Sequence, residues 1–145
     1  MVDNGPSLYQ LAVRHLNGYD LPLDKVKGLE ELRAAADLGS REAQFYLGNR
    51  YERGDGVPRD LGKARGYYRL CAAEGVPLCQ YRLGLLLYEA PDRRERNYLQ
   101  AIALFQLAAE HGLTEAKKIT SSEAPRLTVE QSEWVTKLKA QFVRK

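Results

Sequence analysis

The side chains that could do chemistry in this chain are few, and their spacing does not assemble a reaction centre. There are two histidines, His15 and His111, and two cysteines, Cys71 and Cys79, in 145 residues. A metal site would gather ligands at short helical spacing, as in H-x-x-x-H, or in paired C-x-x-C, and neither pattern occurs. No serine stands in a G-x-S-x-G elbow. His15 falls at a packing position, and His111 lies beside a predicted helix C-terminus, where positive charge suits the dipole. Acidic pairs such as Glu30 and Glu31 read as solvated helix surface. The residues therefore point away from an enzyme, with no metal and no cofactor expected, and toward a protein that acts through its surface.

Composition bounds the elements that must present such a surface. An apolar share of 44% and a charged share of 28% are ordinary for a folded globular chain, and 145 residues are enough for one domain, 1–145. No apolar run reaches the roughly 20 residues of a membrane helix, so membrane insertion is not expected. The start, "MVDNGPSLYQ", has neither a basic nor an apolar segment, so no signal peptide is visible, although a chain begun after a removed one would look the same. Net charge is +3 with a pI near 8.9, and the one dense basic cluster, Arg93, Arg94 and Arg96, is interrupted by Glu95. A nucleic-acid partner would call for a concentrated basic face carrying aromatics, so none is expected.

Periodicity carries most of the information. "NGYDLPLDKVKG" and "RGDGVPRDLGKA" lie 36 residues apart and pair Gly18 with Gly54, Pro22 with Pro58, Asp24 with Asp60 and Lys27 with Lys63. Gly39, Gly75 and Gly112 follow small-residue runs at spacings of 36 and 37. These registers define three units, 6–39, 40–75 and 76–112, followed by a C-terminal segment, 113–145. In the second unit Ala43, Leu47, Gly48 and Tyr51 share one face of a first helix. Gly54 is suited to a left-handed helix stop, Pro58 to a bend, and Asp60 to capping a second helix. Asp24 takes the same role in the first unit and Asn97 in the third. Such helical hairpins bury their apolar faces only by stacking. At the end, Thr128 and Gln131 form a predicted capping box ahead of Trp134, Val135, Leu138 and Phe142, the face of a closing helix.

"EAQFYLGNRYERGDGVPRDLGKARGYYRLCAAEG" strongly resembles a Sel1-like repeat, a relative of the tetratricopeptide repeat, and "QAIALFQLAAEHG" resembles its second half. The first unit departs from the pattern with Ala12 in the glycine position and His15 in the tyrosine position. The third replaces the G-x-G-V turn with "EAPDRRERN". The resemblance implies an all-α fold: a right-handed superhelical solenoid of antiparallel helix pairs, with three repeats and a capping helix. It also implies a non-catalytic adaptor that binds another protein on its concave face, as a monomer or weak oligomer. Some bacterial members are immunity proteins that neutralise secreted toxins, which makes that an alternative. A hydrolase of the cysteine-rich Sel1-like type is a remote one, since no residues match a site for it.

On the first helices, the face opposite the packing face is where a partner is expected. It holds Phe45, Asn49, Glu52 and Arg53 in the second unit, Tyr9, Val13, Leu16 and Asn17 in the first, and Tyr81, Leu85, Tyr88 and Glu89 in the third. The residues expected to contact the partner are Tyr9, Val13, Asn17, Phe45, Asn49, Arg53, Tyr81, Leu85, Tyr88 and Glu89. The column Tyr9, Phe45 and Tyr81 also reads as packing between adjacent hairpins. Tyr67 and Tyr68, on a second helix, read as core. Cys71 and Cys79 occupy positions where the repeat normally has alanine, on facing helix ends. Either they are small buried apolar residues, or they form a disulfide, as cysteine-rich relatives do across this turn. A bond implies a periplasmic or secreted protein, and free thiols a cytoplasmic one.

Overall fold

The repeated turn stops one helix, reverses the chain and starts the next, with the same hydrogen bonds in both copies. Gly54 N–H closes on the Arg50 carbonyl at 2.8 Å with a left-handed backbone (φ 73°), and Gly18 N–H closes on Arg14 at 2.8 Å. Asp60 N–H then returns to the Tyr51 carbonyl (2.9 Å), and Asp24 N–H to that of His15 (3.0 Å). Each aspartate caps its helix: Asp24 Oδ1 accepts from Lys27 N–H at 3.0 Å and Asp60 Oδ1 from Lys63 N–H at 3.1 Å.

In the computed structural model of the chain, residues 4–18, 23–90 and 94–143 are described, with side chains from Leu8 onward. Among them are eight α-helices and no strand: α1 (Asn4–Asn17), α2 (Lys25–Asp37), α3 (Arg41–Arg53), α4 (Leu61–Ala73), α5 (Pro77–Tyr88), α6 (Glu95–Glu110), α7 (Thr114–Glu123) and α8 (Val129–Phe142). A short 3-10 turn, Ala124–Arg126, separates the last two. The helices fall into two compact units, residues 1–67 and 68–145, with the division inside α4. Pro22, in the first turn, and Arg93, in the basic cluster, lie outside the described residues.

A second turn recurs between hairpins. Ser40, Val76 and Leu113 each donate a backbone hydrogen bond to the carbonyl five residues back, on Ala35, Cys71 and Ala108, at 3.0, 3.2 and 3.0 Å. Two of these turns carry a further clamp. Gln44 Nε2 donates to the Ala36 carbonyl, and Gln80 Nε2 to that of Ala72, both at 3.1 Å. Each buried amide thereby adds a second hydrogen bond to a helix-end carbonyl that already accepts a turn N–H, Gly39 on Ala36 and Gly75 on Ala72, both at 3.0 Å. Lys117 stands in this register after the third turn and is exposed.

The same register explains the cysteines. Ala35 with Ala43, Cys71 with Cys79, and Ala108 with Ala116 are equivalent pairs, and all six residues are fully buried. In the middle pair the slot is filled by a disulfide, Cα–Cα 5.9 Å, tying the end of α4 to the start of α5. Both thiols are therefore consumed in this bond.

Within the first unit α1 lies so close to α2 that a Cβ on Gly28 would meet Leu16 Cγ at 2.7 Å. This corrects the placing of Leu16 on the exposed face: it is 7% exposed, because Gly28 removes the side chain that would hold it out. Glu31 is corrected too. Rather than solvated surface, it packs against buried His15, whose Nδ1 is 2.8 Å from Glu31 Oε2. Tyr51 is buried, stacked on Tyr67 (5.9 Å between ring centres, 9° between planes) and bonded at its hydroxyl by Arg33 Nη2 at 3.2 Å. Tyr67 is thus half-buried ring packing, while Tyr68 is fully buried.

In the second unit the Phe105 ring of α6 fills the space that a Cβ on Gly84 would take, with Cε1 2.7 Å away. Leu83, Ile102 and Leu104 are fully buried around it. The capping box forms as expected: Gln131 N–H donates to Thr128 Oγ1 (3.1 Å) and Thr128 N–H to Gln131 Oε1 (2.9 Å). Val135 and Leu138 then bury against this unit, but Trp134 stays 50% exposed, so the closing face is narrower than the sequence pattern implied. Asn97 does not cap α6. The helix starts earlier, at Glu95, with Arg94 extended before it and Tyr98 N–H closing the first turn on the Arg94 carbonyl at 3.1 Å. No proline or glycine follows Arg94 to delay the start, and Glu95 suits the positive helix end.

Candidate partner-binding surface

The residues expected to face a partner are distributed over both units. In the first, Tyr9, Val13, Phe45 and Asn49 are half-buried, and Asn17 and Arg53 are exposed at the C-terminal ends of α1 and α3. The Tyr9 ring meets Tyr46 edge to face at 6.5 Å. Burial, then the nearby Tyr46 and Glu42, raises the pKa of its hydroxyl.

In the second unit three aromatic rings converge. Tyr81 lies 5.9 Å and Tyr88 6.1 Å from Phe105, so the buried ring supports both from below. Leu85, one turn before Tyr88, is half-buried, and Glu89 is exposed just past the end of α5. Of the expected set, Tyr88 opens into a cleft. It is 41% exposed and pairs with Tyr98 of α6 at 6.1 Å.

That cleft, about 520 Å³, is walled by Leu87, Tyr88, Glu95, Tyr98, Glu123, Arg126 and Gln131. The Tyr98 hydroxyl donates to Glu123 Oε2 at 2.6 Å. Burial, then this hydrogen bond and the carboxylate charge, pushes the Tyr98 pKa up to about 12. Glu123, only 8% exposed, has Arg126 Nη1 3.6 Å from its other oxygen. On the opposite wall Gln131 Nε2 donates to Glu95 Oε1 at 3.0 Å. Sequence reading missed Glu95, Tyr98, Glu123, Arg126 and Gln131. None repeats at 36 residues, and they come from α6, α7, the 3-10 turn and α8, so no local signal joins them. Among the described residues no group of three or more His, Cys, Asp or Glu is placed to hold a metal ion, and no helix is long and apolar enough to cross a membrane.

Stacked helical hairpins with a half-exposed aromatic face define a helical-repeat protein of the α-solenoid class. Three Sel1 repeats match this chain, at residues 5–40, 41–76 and 77–113, and the chain belongs to the Sel1 repeat family. A Sel1 repeat protein from Oxalobacter formigenes superimposes with a TM-score of 0.74 at 30% identity, over 82% of this chain and 92% of that one. The c5321 protein, a protective antigen present in uropathogenic Escherichia coli strains, superimposes with a TM-score of 0.75 at 26% identity, over 96% of this chain and 31% of that one. Among curated proteins, DAP3-binding cell death enhancer 1 of Rattus norvegicus is 41% identical over 64 residues, which is 44% of this chain and 13% of that protein. HRD3, an ERAD-associated E3 ubiquitin-protein ligase component of Candida glabrata, is 36% identical over 74 residues, 50% of this chain and 9% of that protein. The matched segments thus span about a tenth of those two relatives. Sel1 repeats are in general non-catalytic interaction modules, and membership of the family points to protein–protein interaction.

Proposed function

We propose that this chain is a non-catalytic module that grips one partner protein, with Leu85, Tyr88 and Glu89 and the adjoining cleft as its contact surface in the second unit. The observation that carries the reading is Tyr88. It is a large aromatic on a rigid helix, propped by a buried ring yet 41% exposed, and it opens onto a cleft. Aromatic anchors of this kind contribute most of the binding energy at protein interfaces. Tyr88→Ala is expected to weaken capture of the native partner while helical content stays the same. Arg53→Glu, in the first unit, tests separately whether its exposed residues take part. Unchanged affinity for both variants rejects the proposal. The Cys71–Cys79 bond fits a periplasmic or secreted setting, and a thiol count on protein taken from its native compartment tests that.

A further inference from the structure

The Tyr88 cleft is lined by a largely buried carboxylate, that of Glu123. An ionised carboxylate offers about four acceptor positions, and burying it is costly unless they are filled. Glu123, 8% exposed, accepts a hydrogen bond from the Tyr98 hydroxyl and faces the Arg126 guanidinium at 3.6 Å. Arg126 is 72% exposed at its side chain, so this pair is screened by solvent and holds the acid weakly. Tyr88 and Tyr98, 6.1 Å apart, present their rings to the same space, Leu87 lines it, and Glu95 closes it from α6.

From this arrangement we propose that the cleft receives an arginine side chain of the partner protein, its guanidinium on the Glu123 carboxylate and against the rings of Tyr88 and Tyr98, with its aliphatic stem along Leu87. A guanidinium is planar and weakly hydrated. It can give two parallel hydrogen bonds to a carboxylate and stack on an aromatic face, which a compact ammonium cannot do as well. A cation within about 6 Å of a tyrosine ring is attracted to its face. Arg126 already brings one guanidinium to Glu123, so the incoming arginine displaces an internal competitor. The inference rests on the proposed interaction role and names the chemistry of its contact.

The test uses the full, disulfide-bonded chain, isotopically labelled, titrated with N-acetylarginine amide and followed by NMR. The neutral isostere N-acetylcitrulline amide and N-acetylglutamate are titrated in parallel. Saturable shifts at Tyr88, Tyr98 and Glu123 are expected from the arginine compound alone. Glu123→Gln keeps the side chain's shape and an acceptor for Tyr98, and should weaken binding about tenfold, the worth of one charge-assisted hydrogen bond. Arg126→Ala should strengthen it by removing the competitor. Equal shifts from the citrulline compound, shifts confined to other regions, or indifference to Glu123→Gln would overturn the proposal. If Tyr88→Ala abolishes native partner capture while Glu123→Gln does not, the interaction role stands and the arginine site falls.

Discussion

Replacing Gly84 by alanine and replacing Gly66 by alanine are the same chemical change in two helices, and the structure assigns them opposite signs. A Cβ on Gly84 would lie 2.7, 2.9 and 3.3 Å from Cε1, Cδ1 and Cζ of Phe105. Carbon atoms prefer roughly 3.5–4.0 Å. The ring cannot swing aside, because it is fully buried and carries Tyr81 and Tyr88 on its other contacts at 5.9 and 6.1 Å. Helices α5 and α6 must part instead, an overpacking cost of about 1–3 kcal/mol. Alanine returns about 1 kcal/mol of helix propensity, leaving a net loss of up to about 2 kcal/mol. At Gly66 a Cβ would meet nothing within 4 Å, so only the propensity gain remains. Thermal melts followed by circular dichroism should show Gly84→Ala falling by several degrees and Gly66→Ala rising by about 3–4 °C, at roughly 3–4 °C per kcal/mol for a chain of this size. Because Phe105 supports Tyr88, Gly84→Ala should also weaken partner binding. A Gly84→Ala melt that rises like that of Gly66→Ala would refute close helix approach as the reason for the glycine.

Three further outcomes are expected. Replacing Cys71 and Cys79 together by alanine should cost about 2.5 kcal/mol in the chain-entropy account but leave the fold intact, since alanine fills the equivalent slots elsewhere; unfolding of the double variant in a melt would contradict this. Absorbance at 295 nm should show one tyrosine ionising near pH 12, lost in Tyr98→Phe. Because the folded pKa lies above the unfolded value of 10.0, the stability that Tyr98 gains from staying protonated is complete below pH 10.0 and is lost as pH rises toward 12; a Tyr98→Phe difference constant across that window would be the wrong result. Gln80→Ala should lower stability by about 1 kcal/mol in urea titrations, by removing the side-chain hydrogen bond to the Ala72 carbonyl, which keeps only that from Gly75 N–H, and no loss would mean that the amide contributes nothing net.

The turns were legible in the sequence because local chemistry decides them. Gly54 and Asp60 act within four residues of their own positions, and their equivalents Gly18 and Asp24 do the same in the first unit. The second glycine of the G-x-G-V turn has a reason visible only in three dimensions. Gly56 leaves room for the Arg50 guanidinium, 3.0 Å from where its Cβ would lie, which binds the Asp55 carbonyl and the Tyr46 hydroxyl. Periodicity located Leu47 and Leu83, both fully buried. It failed at Leu16 and Glu31, because helix-face patterns do not say how closely the next helix approaches, and Gly28 lets α1 and α2 close together, which buries Leu16 of α1 and sets Glu31 of α2 against His15. Asn97 misled because the third unit's turn departs from the other two, so a cap chosen by homology of register fell inside the helix. The cleft residues were illegible for a different reason: Glu123 meets Tyr98 across 25 positions, in the segment where the 36-residue rule has lapsed.

The cysteines in alanine slots make this joint a removable rivet. Two substitutions delete it and leave the alanine pair that the neighbouring joint already carries at Ala35 and Ala43. An array built in this way can be hardened one seam at a time, and its resistance to unfolding set apart from whatever its faces recognise.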